Sequence, residues 1–174
     1  AIGDVPLLVD VAQSAGKVPI ETDRWGADYV AFTGHKGLLG PTGTGGLYVK
    51  DAGSIRPLVH GGTGSRSDSF AMPDFMPDRL EAGTANIAGL FGLEAALTNV
   101  PEPQHDRADF DRLMDAVNDL NHIRLVSAHD RANQGELFSL VDARWSSSEF
   151  GQMPYDRDGI ETRAGLHCAP LAHQ

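Results

Sequence analysis

The stretch FTGHKGLLGPTGTGG at residues 32–46 constrains this chain more than any other. It sets a single lysine, Lys36, between an apolar run at 27–33 (ADYVAFT) and a glycine-rich turn, with a further apolar run at 46–50 (GLYVK) beyond it. Branched and aromatic residues mark both runs as strands, and the glycines and proline between them mark a turn. Residues 6–10 add a third short apolar run that ends in an acid, Asp10, with a turn or a short helical segment over 12–16. Strands joined by such connections predict an α/β sheet. Two phosphate cradles are excluded by order alone. A P-loop has its lysine after the glycines, whereas Lys36 precedes them, and the dinucleotide pattern G-x-G-x-x-G fails at Gly43 and at Gly62.

The stretch at 53–77 contains HGGTGSRSDS and is too rich in glycine and serine for a core element. Residues 85–100 predict a helix despite two glycines, ended by the PEP at 101–103. Phe110, Leu113, Met114, Val117 and Leu120 fall at i, i+3, i+4, i+7 and i+10, which predicts an amphipathic helix over 105–120 with that stripe in the core. Short strands are expected at 123–127, 137–141 and 160–163. Pro154 predicts that WSSSEFGQMPYDRDGI is not one continuous helix. A boundary near 100–104 divides the chain into 1–100 and a smaller α+β part at 101–174.

The formal charge of −10 argues against nucleic acid and against anionic membrane surfaces as partners. No apolar run approaches the roughly 18 residues of a membrane span. The single cysteine, Cys168, allows no intrachain disulfide and suits a reducing cytoplasm. The chain opens without Met in a strand-like run and stops at HCAPLAHQ without a closing element, so a piece of a longer protein is expected.

A lysine amine is a nucleophile when it is neutral or held as a Schiff base. Pyridoxal phosphate enzymes pair one such lysine with an acid facing the pyridinium nitrogen. Parallel sheets place ligands at the carboxyl ends of their strands, so Asp10 and Lys36 are expected at one edge. Thr33 and His35 would donate there to a phosphate, and Gln13 would meet the phenolic oxygen of the ring.

The stretch from Leu8 to Val49, with its D-x-x-Q, its T-G-H-K and its G-P-x-G-x-G, resembles the cofactor-lysine region of the class V aminotransferase family. Within that family it looks most like the cysteine desulfurase and selenocysteine lyase branch. EAGTANIAGLFGLEAAL at 81–97 is similar to the family's E-x-G-T-x-N segment, and RAGLHCAP at 163–170 to its R-x-G-x-x-C loop. The resemblance implies the large domain of the fold-type I pyridoxal phosphate transferases, its second half at 1–100, followed by an incomplete small domain. It implies that Lys36 carries the cofactor, Asp10 pairs with the pyridinium nitrogen, Gln13 bonds the ring hydroxyl, and Thr33 and His35 contact the phosphate. Thr84 would reach the phosphate of a neighbouring subunit in a homodimer. Cys168 would take the sulfur of L-cysteine as a persulfide, leaving L-alanine, and pass it to an acceptor protein. Arg163 would line the substrate pocket, and Arg163, His167 and His173 would favour the thiolate. The family's chains are roughly twice this length, and their ring-stacking histidine and substrate-carboxylate arginine lie outside this sequence. A selenocysteine lyase, another lyase or aminotransferase of the family, or a truncated chain without catalysis are the competing readings. No metal is expected, because His167, Cys168 and His173 lack a second cluster to complete four ligands.

Overall fold

The computed structural model describes residues 3–173. The chain divides into two compact units, Ala1–Pro101 and Glu102–Gln174. The first unit is built on a three-stranded sheet in the order β1 (Leu8–Asp10), β2 (Tyr29–Thr33), β3 (Gly45–Val49). β1 runs parallel to β2 with Asp10 opposite Ala31, and β3 runs antiparallel with Gly45 opposite Thr33. The first strand is shorter than its apolar run for a chemical reason. Pro6 has no N–H to give, and the N–H of Leu7 donates to the side chain of Asp28 at 2.8 Å, so the ladder starts one residue later.

The crossover from β1 to β2 is a series of turns followed by the single-turn α1 (Thr22–Trp25), which stops at Gly26 with φ 64. Val11, Ala15, Ala27 and Val30 are buried between this crossover and the sheet, with Ile20, Trp25, Phe32 and Leu38 packed around them. Residues 50–86 hold no strand and only one 3-10 turn, Ala52–Ser54. The helix α2 (Ile87–Thr98) then begins at Asn86, whose side chain accepts from the N–H of Gly89 at 3.0 Å. Its sequence, IAGLFGLEAALT, is apolar nearly all round, and only Gly89 and Leu93 are buried.

In the second unit α3 (Arg107–Asn118) starts with a reciprocal capping box between Asp106 and Asp109. Of the expected stripe, Phe110 and Met114 are buried, while Leu113 and Leu120 lie exposed. Phe110 meets Phe138 with ring centroids 5.7 Å apart. Strands β4 (Arg124–Val126) and β5 (Ser139–Val141) form an antiparallel pair, and α4 (Ser147–Asp158) follows.

Two expectations fail here. Residues 160–163 form no strand; the Thr162 hydroxyl donates to the carbonyl of Gly151 on α4 instead, at 3.1 Å. And α4 continues through Pro154. A proline removes one helical donor, here the one that would serve the Phe150 carbonyl, but both ends of this helix are firmly held. Ser146 and Glu149 form a capping box at the start. At the end, Gly159 takes φ 68 and the N–H of Ile160 reaches back to the Pro154 carbonyl at 3.1 Å. Among the described residues no helix is long and apolar enough to cross a membrane.

Candidate active site

Lys36 stands on a braced turn. Thr33 ends β2, and the N–H of Gly34 donates to the Thr44 carbonyl at 2.9 Å, closing the turn at its base. Within the turn Leu39 N–H donates to Lys36 O at 2.9 Å and Gly40 N–H to Gly34 O at 2.7 Å. Thr44 is buried, and its hydroxyl donates to the Pro41 carbonyl at 2.6 Å. Leu38 packs on the core cluster while the Lys36 side chain is exposed. The result is a flexible amine on a backbone that has little freedom.

The turn after β1 meets this lysine turn backbone to backbone. A Cβ on Gly37 would stand 2.3 Å from the carbonyl oxygen of Ala15, and one on Gly16 would stand 2.3 Å from the carbonyl oxygen of Gly37. Gly16 also has φ 81. Only glycine at both positions permits this approach. The parallel register does the rest: Val11 N–H donates to Ala31 O at 2.9 Å, so the carboxyl ends of β1 and β2 share an edge. Asp10 ends β1 there, with Oδ1 accepting from the N–H of Ala12 at 2.8 Å. One carboxylate oxygen is thereby used to shape the turn, and among the described residues nothing bonds the other. Gln13 lies exposed in that turn.

On the lysine side Thr33 Oγ1 and His35 Nδ1 are 2.8 Å apart, which fixes the hydroxyl and the ring relative to each other. The edge thus gathers Asp10, Gln13, Thr33, His35 and Lys36: an amine nucleophile, an acceptor carboxylate, an amide, and a hydroxyl–imidazole pair. That donor set, over a close-packed glycine floor, fits a flat phosphorylated aldehyde. Thr84 is not joined to the cluster by any hydrogen bond among the described residues; it lies exposed on a segment tied by Gly83 N–H to Gly62 O at 2.7 Å.

Arg163 and Cys168 belong to the second unit, on an exposed arm after α4. The arm ends in a β-turn, with the N–H of Ala169 donating to Leu166 O at 2.8 Å. Its two central residues, His167 (φ 52) and Cys168 (φ 61), are both left-handed, the geometry of a type I′ turn built without glycine at its centre. Each non-glycine residue held there costs roughly 1–2 kcal/mol. The thiol is presented, exposed, at the tip of this turn. The side chain of His173 lies outside the described residues.

The β5–α4 corner holds a buried carboxylate, Asp142. Arg144 clamps it with Nε at 2.9 Å and Nη2 at 2.6 Å, and the Arg144 backbone N–H adds a bond at 2.9 Å. The guanidinium bonds hold the Asp142 pKa down to about 2 against the opposing effect of burial. Among the described residues no three of His, Cys, Asp and Glu are grouped so as to hold a metal ion.

The residues that the sequence did not single out are those that brace: Gly16, Gly37 and Thr44 under the lysine, Gly151 and Thr162 under the cysteine arm. The partner of each is visible only after folding, since Gly16 and Gly37 lie on different strand connections.

The class-V aminotransferase family model matches residues 3–174. A probable cysteine desulfurase of Methanothermobacter thermautotrophicus is 34% identical over 173 residues, which cover 93% of this chain and 42% of that relative. A cysteine desulfurase of Thermococcus onnurineus NA1, solved in its apo form, superposes with a TM-score of 0.79 at 26% identity, over 95% of this chain and 43% of that one. A mutant of C-DES with glycine covalently linked to its PLP cofactor superposes with a TM-score of 0.64 at 26% identity, over 87% of this chain and 42% of that one. The chain therefore spans about two-fifths of the length of the relatives it matches. Its mixed α/β sheet is part of the large domain of the fold these proteins share. With the family model matching nearly every residue and the expected motifs in order along it, the chain belongs to the class-V aminotransferase family.

Proposed function

We propose that this chain is the cofactor-lysine portion of a pyridoxal phosphate-dependent cysteine desulfurase, converting L-cysteine to L-alanine and leaving the sulfur on Cys168. One observation carries the reading: the contact of Gly16 with Gly37 that brings Asp10 and Gln13 to the same sheet edge as Thr33, His35 and Lys36. In this reading residues 1–100 are the second half of the cofactor-binding large domain and 101–174 the incomplete small domain. The protein acts as a homodimer in the cytoplasm, where the Cys168 thiol stays reduced.

Pyridoxal phosphate, when bound, supplies an electron sink for the substrate's α-carbon. Lys36 would hold it covalently and, with its amine free, would take up and return the α-proton of the substrate. Asp10 would offer its uncommitted oxygen to the ring nitrogen, Gln13 would bond the ring oxygen, and Thr33 with His35 would hold the phosphate. Thr84 serves the phosphate of the partner subunit, and Arg163 lines the pocket of the small amino-acid substrate. The Cys168 thiolate attacks the substrate sulfur. A sulfur–sulfur bond forms as the carbon–sulfur bond breaks, and the carbon keeps the electron pair and is protonated to give alanine. The persulfide then passes to an acceptor protein.

The test is to load the full-length gene product with pyridoxal phosphate, reduce with borohydride and map the adduct by peptide mass. An adduct on Lys36 supports the reading; an adduct elsewhere, or none, overturns it. Cys168→Ala is expected to keep the Lys36 adduct and lose persulfide formation from cysteine. Persulfide delivery at the parent rate would remove Cys168 from the mechanism.

A further inference from the structure

Cys168 sits on an arm whose side chains are exposed from Ile160 to Leu171, yet the base of that arm is fastened. The hydroxyl of Thr162 donates to the Gly151 carbonyl at 3.1 Å. At the same place the arm lies against a helix position that has no side chain. A Cβ on Gly151 would stand 3.1 Å from the Cβ of Ala164 and 3.2 Å from Thr162 Oγ1. Beside the contact a cleft of about 370 Å³ opens between α4 and the arm, lined by Ser148, Gln152, Tyr155 and Glu161. At Gly151 the arm comes in to touch α4, and the absent side chain leaves room for that close approach.

We infer that Thr162 and Gly151 form a latch that positions the sulfur-carrying arm, an inference that rests on the desulfurase reading. Neither residue touches substrate or cofactor; both act through Cys168. The physical argument is tether length. With the latch closed, Cys168 lies four positions beyond the last contact, Ala164; with it open, it lies nine positions beyond Gly159 at the end of α4. On this entry side of the arm the longer free segment spreads the thiol over more positions, a dilution at its target of up to about threefold by the −3/2 power of segment length. The latch also shields the bond after Arg163, because a protease needs that backbone released.

The experiment compares the full-length parent with Thr162→Val, Thr162→Ser and Gly151→Ala, each loaded with pyridoxal phosphate. Trypsin cleavage after Arg163, scaled to cleavage after Arg144, is expected to rise about fivefold in Thr162→Val, the loss expected for one hydrogen bond. Gly151→Ala asks Ala164 to give by only a few tenths of an ångström and is expected to raise cleavage less than Thr162→Val, and Thr162→Ser is expected to match the parent. The kcat for persulfide formation is expected to fall about threefold in Thr162→Val, with the KM for L-cysteine and the cofactor absorbance unchanged. Parent-like cleavage in Thr162→Val overturns the latch by itself. Faster cleavage with parent-like kcat overturns the positioning role. A parent that forms no persulfide overturns the desulfurase reading and the positioning role with it, whatever trypsin shows.

Discussion

The lysine turn and the cysteine arm carry the two side chains that the proposed function makes reactive, and they are built on opposite principles. Around Lys36 the backbone is closed on itself by hydrogen bonds, backed by the buried Thr44 and pressed against a neighbouring turn at Gly16. Around Cys168 the chain is exposed, left-handed at three of four residues from Gly165, and fastened at its base to α4. Under the proposed function the difference matches what each group would do. An amine that must bond a cofactor in one orientation gains from a fixed backbone, since small misplacements at a reacting centre are costly. A thiol that must collect sulfur and hand it on gains from an exposed tip on a short tether.

The sharpest way to break the comparison is to remove its fixed member. Lys36→Ala is expected to abolish the borohydride-trapped adduct and to lower desulfuration by about 10³-fold or more. Trapping on another lysine at parental yield would show that the braced turn is not the attachment point. Next in size is the floor beneath it. Gly37→Ala sets a Cβ 2.3 Å from the Ala15 carbonyl, where neither backbone can yield cheaply. Denaturant unfolding should report a loss of about 1–3 kcal/mol, with weaker retention of pyridoxal phosphate as Asp10 and Gln13 part from Lys36.

A third prediction tests the β5–α4 corner of the unit to which the arm belongs. The pKa of Asp142 is lower folded, about 2, than in an unfolded chain, about 4. Its stabilisation is therefore fully present above about pH 4 and is lost as pH falls through about 2. Trp145, whose N–H donates to the Asp142 carbonyl at 3.4 Å, is a local reporter. Its fluorescence should change over that window in the parent, and Asp142→Asn should lose that dependence. Coincident profiles for the two proteins would show that the clamp does not control the corner. The smallest effect is expected at the arm. Gly165 has φ 101 but open space around it, so Gly165→Ala adds strain without collision. Because the exposed arm can relax locally, the roughly 1–2 kcal/mol of backbone strain should appear only in part as lost global stability, about 1 kcal/mol. A loss as large as that of Gly37→Ala would erase the distinction between turn and arm.

Much of this was legible in the residues. The apolar runs before Asp10, around Val30 and around Tyr48 became β1, β2 and β3, because branched and aromatic residues fit a pleated surface wherever it forms. The helix over 105–120 was read from its period, and its Phe110 and Met114 are buried as a stripe should be. The periodicity could not say that Leu113 and Leu120 would stay exposed, since that depends on what else reaches the helix. Pro154 misled for a related reason: a local penalty was weighed without the capping box and the Gly159 stop that outweigh it. The expected strand at 160–163 failed because extended propensity needs a partner strand, and Thr162 met a helix carbonyl instead.

What the sequence by itself determined is the chemistry: one lysine ahead of its glycines, an acid at a strand end, one cysteine in a glycine-bearing arm. Those are covalent facts, and they carry the family resemblance with them. Only the tertiary structure decided which of them meet. It set Asp10 and Lys36 at one edge because β1 and β2 are parallel and because Gly16 and Gly37 leave no Cβ between two backbones. It set Thr162 and Ala164 against Gly151, where again an absent side chain leaves room for another segment to approach. Such a gap has no periodicity and no charge, and it acquires meaning only when something packs into it.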